Sequence, residues 1–87
     1  METRRDMVAE WNAEAIVWEP ADYDRAIVGV VERCAFQAVA VYDYDMLVKV
    51  TMDLGDGDYD EAAEYVNYNI VGCYVGEFTP MTLYRAS

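Results

Sequence analysis

Two helix-patterned stretches flank the segment Asp53-Leu-Gly-Asp-Gly-Asp-Tyr-Asp-Glu61, and that arrangement constrains the rest of the chain. Gly55 and Gly57 break the backbone pattern, so helix cannot run through the segment. Upstream, Asp43–Leu54 can open on Asp43 or Asp45 as N-cap. It carries Leu47, Val50 and Leu54 as an apolar stripe, which Met46 and Val48 widen. Downstream, Asp58 suits the N-cap of a second helix, Tyr59–Val71. Glu61 lies where a capping box places its acid, and Asp60 and Glu61 complement the positive end of the helix dipole. Tyr59, Ala63, Val66 and Ile70 recur at helical spacing, and Gly72 is a stop. Helices joined by so short a loop usually pack as neighbours.

The flanks read as strand. Ala26-Ile-Val-Gly-Val-Val-Glu32 is a continuous apolar run of strand length that also suits a buried helix segment. Its Ile, Val and Gly content favours strand, and Gly29 inside it suggests a bulge or a close backbone approach. Ala38-Val-Ala-Val-Tyr42 is a second strand. The connection Arg33–Gln37 is short enough for an antiparallel hairpin. Ala15–Glu19 is β-like and ends at Pro20, and Pro20–Asp24 reads as a turn. Gly76–Pro80 is another turn. Met81–Arg85 alternates apolar and polar residues, as a half-buried closing strand does. At the start, Met7, Val8 and Trp11 mark a weak helical face within residues 1–12, a docking helix or frayed end started by Glu2 or Thr3. The expected fold is α+β. A small antiparallel or mixed sheet of three to four strands (15–19, 26–32, 38–42 and 81–85) packs against two or three helices in one domain, residues 1–87.

The 87 residues bury a modest core, roughly 60–65% of the unfolded surface. With 55% of residues hydrophobic, apolar surface is left over. A homodimer or a partner is the usual way to cover such a surplus. The formal net charge is −11, from 17 acids and 6 bases. Such a chain repels nucleic acid and anionic membranes and is drawn to basic surfaces, including proteins that bind nucleic acid. The same charge also serves solubility. Residues 1–11 lack the apolar core of a secretory signal, and no apolar run approaches the ~20 residues of a membrane span. The expectation is a cytoplasmic protein with Cys34 and Cys73 reduced and buried.

The chain contains no histidine, which removes Ser/His/Asp and Cys/His mechanisms and the commonest metal ligand. No phosphate-binding glycine loop and no Cys-x-x-Cys pair occurs. Asp43 with Asp45, or Asp56 with Asp58 and Asp60, can form an acid/base pair, although close carboxylates occur on any acidic surface. Counted from Asp56, the alternating aspartates fail the EF-hand pattern, because Glu61 stands at the glycine position and Asn67 at the bidentate glutamate position. No cofactor, metal or catalysis is expected, with a weak divalent site of another kind as the alternative. The 8 tyrosines often neighbour acids, as in Asp22-Tyr-Asp24 and Tyr42-Asp-Tyr-Asp45. Carboxylates pair with guanidinium groups and tyrosine rings stack on them, so this composition suits an arginine-rich partner. Half of the rings are expected to fill the core instead. The candidate partner-binding residues are Asp43, Asp45, Asp53, Asp56, Asp58, Tyr59, Asp60, Glu61, Glu64 and Tyr68.

Several pieces carry a family likeness: Tyr23-x-x-Ala26-Ile27-x-Gly29, Glu32-Arg-Cys34, Val41-Tyr-Asp-Tyr-Asp45, Asp60-Glu-Ala-x-Glu64, Asn69-Ile-x-Gly72 and Val75-Gly-Glu-x-Thr-Pro80. Over residues 22–80 the chain resembles a family of small acidic proteins encoded by bacteriophages and prophages. It departs at Ala35-Phe-Gln37, where a glycine- or proline-bearing turn is expected, and in its charged N-terminal segment. The resemblance implies a protein that binds host machinery in the cytoplasm, of the anti-CRISPR or other anti-defence type. Asp53, Asp56, Asp58, Asp60, Glu61 and Glu64 would then mimic the charge of DNA towards a basic nucleic-acid-binding complex. The alternative is a homodimeric structural or assembly protein without catalytic activity.

Overall fold

The structure, a computed structural model, describes residues 3–34 and 36–86. The fold is α+β: a three-stranded mixed sheet with helices over one face. Helix α1 spans Arg4–Trp11, and a 3₁₀ turn covers Ala21–Ala26. Strands β1 (Ile27–Arg33) and β2 (Phe36–Asp43) follow. Helix α2 spans Tyr44–Leu54 and α3 Tyr59–Val66, α3 running on into a π-helical turn at Asn67–Val71. Strand β3 is Met81–Leu83.

Local chemistry starts each helix. The Thr3 hydroxyl accepts from Asp6 N–H and the Asp6 carboxylate accepts from Thr3 N–H, a complete capping box for α1. The alternative start at Glu2 lies outside the described residues. Asp43 rather than Asp45 caps α2, accepting from Met46 N–H at 3.1 Å. Asp58 caps α3 through Asp60 and Glu61 N–H. Gly55 closes α2 on the carbonyls of Thr51 and Met52, and Gly72 closes the π-turn on Asn67.

Residues 26–32 are strand, not helix. β1 and β2 pair antiparallel, Val30 opposite Ala40 and Val31 opposite Val39, with irregularities either side of Val28 and Glu32. The bulge expected at Gly29 is the first of these. Arg33 pairs with Phe36, so the connection is tighter than Arg33–Gln37; its residue Ala35 lies outside the described residues.

After β2 the chain crosses through α2 and α3 and returns beside β2, so β3 runs parallel to it. β3 is shorter than expected, because Arg85 turns away to donate its Nε–H to Asp43 at 2.8 Å. Ala15–Glu19 is not a strand. Ile16 N–H donates to the Phe78 carbonyl and Trp18 N–H to the Tyr42 hydroxyl, so its backbone is satisfied without a ladder.

The core lies between the sheet and the helices. Ala40 and Tyr42 point inward from β2 and meet Val8, Ile27, Leu47, Val48, Val50, Val66 and Ile70. Three expected positions fail. Leu54, at the frayed end of its stripe, is 50% exposed. Trp11 stays outside while Val8 alone of its helix is buried. On α3 the inward face is Ala62, Val66 and Ile70, with Ala63 at its edge, so Tyr59 faces solvent. Cys34 is exposed at the hairpin and Cys73 is partly buried, which corrects the expectation of two buried thiols; both are free.

Asp43 is buried, and its two carboxylate oxygens are held by Met46 N–H and Arg85. Asp43→Ala should lower unfolding free energy by about 1–3 kcal/mol in urea titration, from the lost cap and the stranded amide. Asp45→Ala, two residues on and exposed, should stay within about 0.5 kcal/mol.

Candidate functional site

The outer side of α3 and its approach loop carry most of the candidate residues. Tyr59, Asp60, Glu61, Glu64 and Tyr68 are all exposed, Tyr68 at 78%. Glu61, Glu64, Tyr65 and Tyr68 follow the i, i+3, i+4, i+7 rule, so they form one stripe on the helix surface. Tyr65 belongs to this stripe and was missed among the candidates. Its spacing from Glu61 and Tyr68 was the available signal.

The loop contributes differently from residue to residue. Asp56 is exposed. The Asp58 carboxylate is occupied as a helix cap. Asp53 pairs with Arg25 at 3.3 Å, both side chains about half exposed. The other two candidates stand apart. Asp45 lies in the first turn of α2, about 12 Å along the helix from Asp53. Asp43 is buried under Arg85 and offers no surface to a partner, which corrects its placement among the binding residues. Its apolar neighbours on β2 and the salt link from the C-terminal end draw it inward.

A cleft of about 280 Å³ opens beneath the loop. Pro20, Tyr23, Met52 and Tyr65 give it an apolar and aromatic wall, while Asp56, Asp58 and Glu61 line its acidic side. The Tyr23 hydroxyl shares a 2.7 Å hydrogen bond with the Thr51 hydroxyl, which in turn donates to the Leu47 carbonyl. Burial raises the Tyr23 phenol above its usual range, against the opposing effect of that hydrogen bond. The phenol is therefore a neutral group near neutral pH, not a base. Among the described residues, no three acids or cysteines converge to hold a metal ion. The cleft thus sets carboxylates, which can pair with a cationic side chain, beside rings, which can lie against one.

The bases are distributed in the opposite sense. Arg5 grips Asp24 with two hydrogen bonds, at 2.7 and 2.9 Å, and reaches Glu19 at 3.1 Å. That carboxylate contact raises its already high pKa further. Arg4 donates to the Arg25 and Ile27 carbonyls, Arg25 to Asp53 and Arg85 to Asp43. Four of the 6 bases are thus engaged within the fold, and the stripe on α3 carries acids and tyrosines only. Tyr84 stacks on Tyr44 at 4.8 Å between ring centres, and the Tyr44 hydroxyl donates to Asn67. Among the described residues, no helix is long and apolar enough to cross a membrane.

No protein-family model matches this chain, and no curated protein or solved structure shows significant similarity to it.

Proposed function

We propose that this chain is a small non-catalytic binding protein. It engages a basic nucleic-acid-binding protein complex through the outer side of α3 and competes with nucleic acid for that surface. The supporting observation is the stripe Glu61, Glu64, Tyr65 and Tyr68, with Tyr59 and Asp60 beside it. It offers negative charge and exposed rings with no cation among them. Single-stranded nucleic acid offers a basic groove the same two features, charge along its backbone and faces to stack on. The cleft below Asp56 and Tyr65 suits an arginine from such a partner. The resemblance to phage proteins gives the proposal its setting: an inhibitor of the anti-CRISPR or anti-defence type, acting in the host cytoplasm.

The test begins with tagged protein retained on a column and exposed to bacterial lysate at low and at high salt. A nucleic-acid-binding complex should be captured at low salt and released at high salt, because exposed charges are screened beyond about 10 Å at 0.1 M. The purified complex should then lose its bound nucleic acid as this protein is added. Glu61→Lys with Glu64→Lys should weaken binding to that complex by roughly tenfold or more while melting only modestly below the parent, through the lost acid in the first turn of α3. Asp58 is unsuitable for the test, since its replacement uncaps α3. Unchanged affinity of the double variant, or a captured complex that keeps its nucleic acid, would overturn the proposal.

A further inference from the structure

The sheet has a second face, and the helices do not cover it. Side chains alternate along a strand, so when Ala40 and Tyr42 point into the core, Val39 and Val41 point the other way. The pairings place Val31 beside Val39 and Val41 beside Met81, with Leu83 one rung further. Val39 and Val41 form a floor; Val31, Met81 and Leu83 stand above it, Met81 at 56% exposure. The result is a groove of about 590 Å³, larger than the cleft under α3. That volume falls within the ~300–1,000 Å³ range in which proteins hold ligand groups. Gly29 sits opposite Val41, and a side chain built there would meet nothing within 4 Å, so the groove stays open at β1.

Charge selects the occupant. The rim of the groove carries Glu32 and Glu77. A second copy would bring another net charge of −11 against them, with four of its 6 bases already engaged internally. A cation-bearing partner gains where a second copy is repelled. The approach is to the face and not to the sheet edge. The Arg4 guanidinium already takes the Ile27 carbonyl at the start of β1, and β3 offers only three residues of edge.

We propose that the open face of the sheet docks a basic amphipathic protein segment, with apolar side chains entering the groove and lysine or arginine meeting Glu32 and Glu77. This surface is separate from the α3 stripe and goes beyond the function proposed above.

The probe is a short fluorescent peptide alternating leucine and lysine, with a serine–lysine peptide of equal charge as control. Anisotropy titration should show the leucine peptide binding roughly tenfold tighter or more. Met81→Glu with Leu83→Glu should abolish that preference. Met81→Ser with Leu83→Ser should do the same without adding charge. Both residues are exposed, so both variants should melt near the parent. Glu61→Lys with Glu64→Lys should keep the preference for leucine even if it weakens both peptides, which separates this surface from the α3 stripe. Three results would overturn the proposal: equal binding of the two peptides, a preference that survives both groove variants, or a dimer in sedimentation that the groove variants dissociate.

Discussion

Replacing Tyr42 with alanine is expected to cost about 3–5 kcal/mol of stability, the range for truncating a large buried ring. The ring is fully buried at the centre of the sheet's inner face and touches the core from both layers. Its hydroxyl accepts from Trp18 N–H at 2.8 Å and so holds the 15–19 segment on the body of the fold. A domain of this size has roughly 4–13 kcal/mol in total, so Tyr42→Ala should be largely unfolded or melt far below the parent. Tyr42→Phe separates the two contributions. It keeps the ring and strands one amide, at about 1–3 kcal/mol, and should lift hydrogen-exchange protection at Trp18 selectively. Ionisation gives an independent check. Burial pushes the Tyr42 phenol up to about 12, above the usual 10, with the Trp18 hydrogen bond opposing. A raised folded value means that the neutral phenol is the form the fold favours. Its stabilisation is complete below pH about 10 and is lost as pH rises towards about 12. Chemical denaturation across that window should show a decline that is shallower in Tyr42→Phe, where Tyr23 remains the buried phenol with a raised value. A flat profile in the parent would contradict the burial assigned to Tyr42.

Leu47→Ala should cost about 2–5 kcal/mol, while Leu54→Ala should cost less than about 0.5 kcal/mol. Both leucines lie on the apolar stripe of α2 by helical spacing. Leu47 is fully buried in the same core cluster as Ile27, Tyr42 and Val50, so its truncation opens a cavity there. Leu54 ends the helix at 50% exposure beside Gly55. Urea titration of the two variants measures the difference directly. Equal costs would mean that the loop end of α2 is packed as tightly as its middle.

The proposed binding surface was partly legible beforehand. Glu61, Glu64 and Tyr68 could be placed on one helix because helical spacing is local. Tyr65 obeys the same spacing, but a lone tyrosine is as easily core as surface. Tyr59 fits both the apolar pattern of α3 and the list of surface candidates, and only the inward contact of Ala62 shows that the helix turns it to solvent. The groove on the sheet was not legible at all. A strand of alternating alanine and valine is apolar on both sides, so nothing in its pattern says which side the helices cover.

What the sequence determined on its own were the features decided within a few residues. Asp58 could be recognised as a cap, and Thr3 and Asp43 each as one of two alternatives for α1 and α2, because each bonds an amide in its own first turn. Gly55 and Gly72 mark helix ends, and the short link after Arg33 makes a hairpin, for equally local reasons. The tertiary structure alone decided whatever depends on distant partners. Ala15–Glu19 has strand composition, but its amides find Phe78 and Tyr42 instead of a ladder. β3 runs parallel because two helices intervene before it returns to β2. Asp43, an acid among acids in the sequence, is buried because Arg85 reaches it from 42 residues away. A carboxylate is stable inside a fold only when such a partner arrives, and a contact at that separation leaves no trace in local spacing.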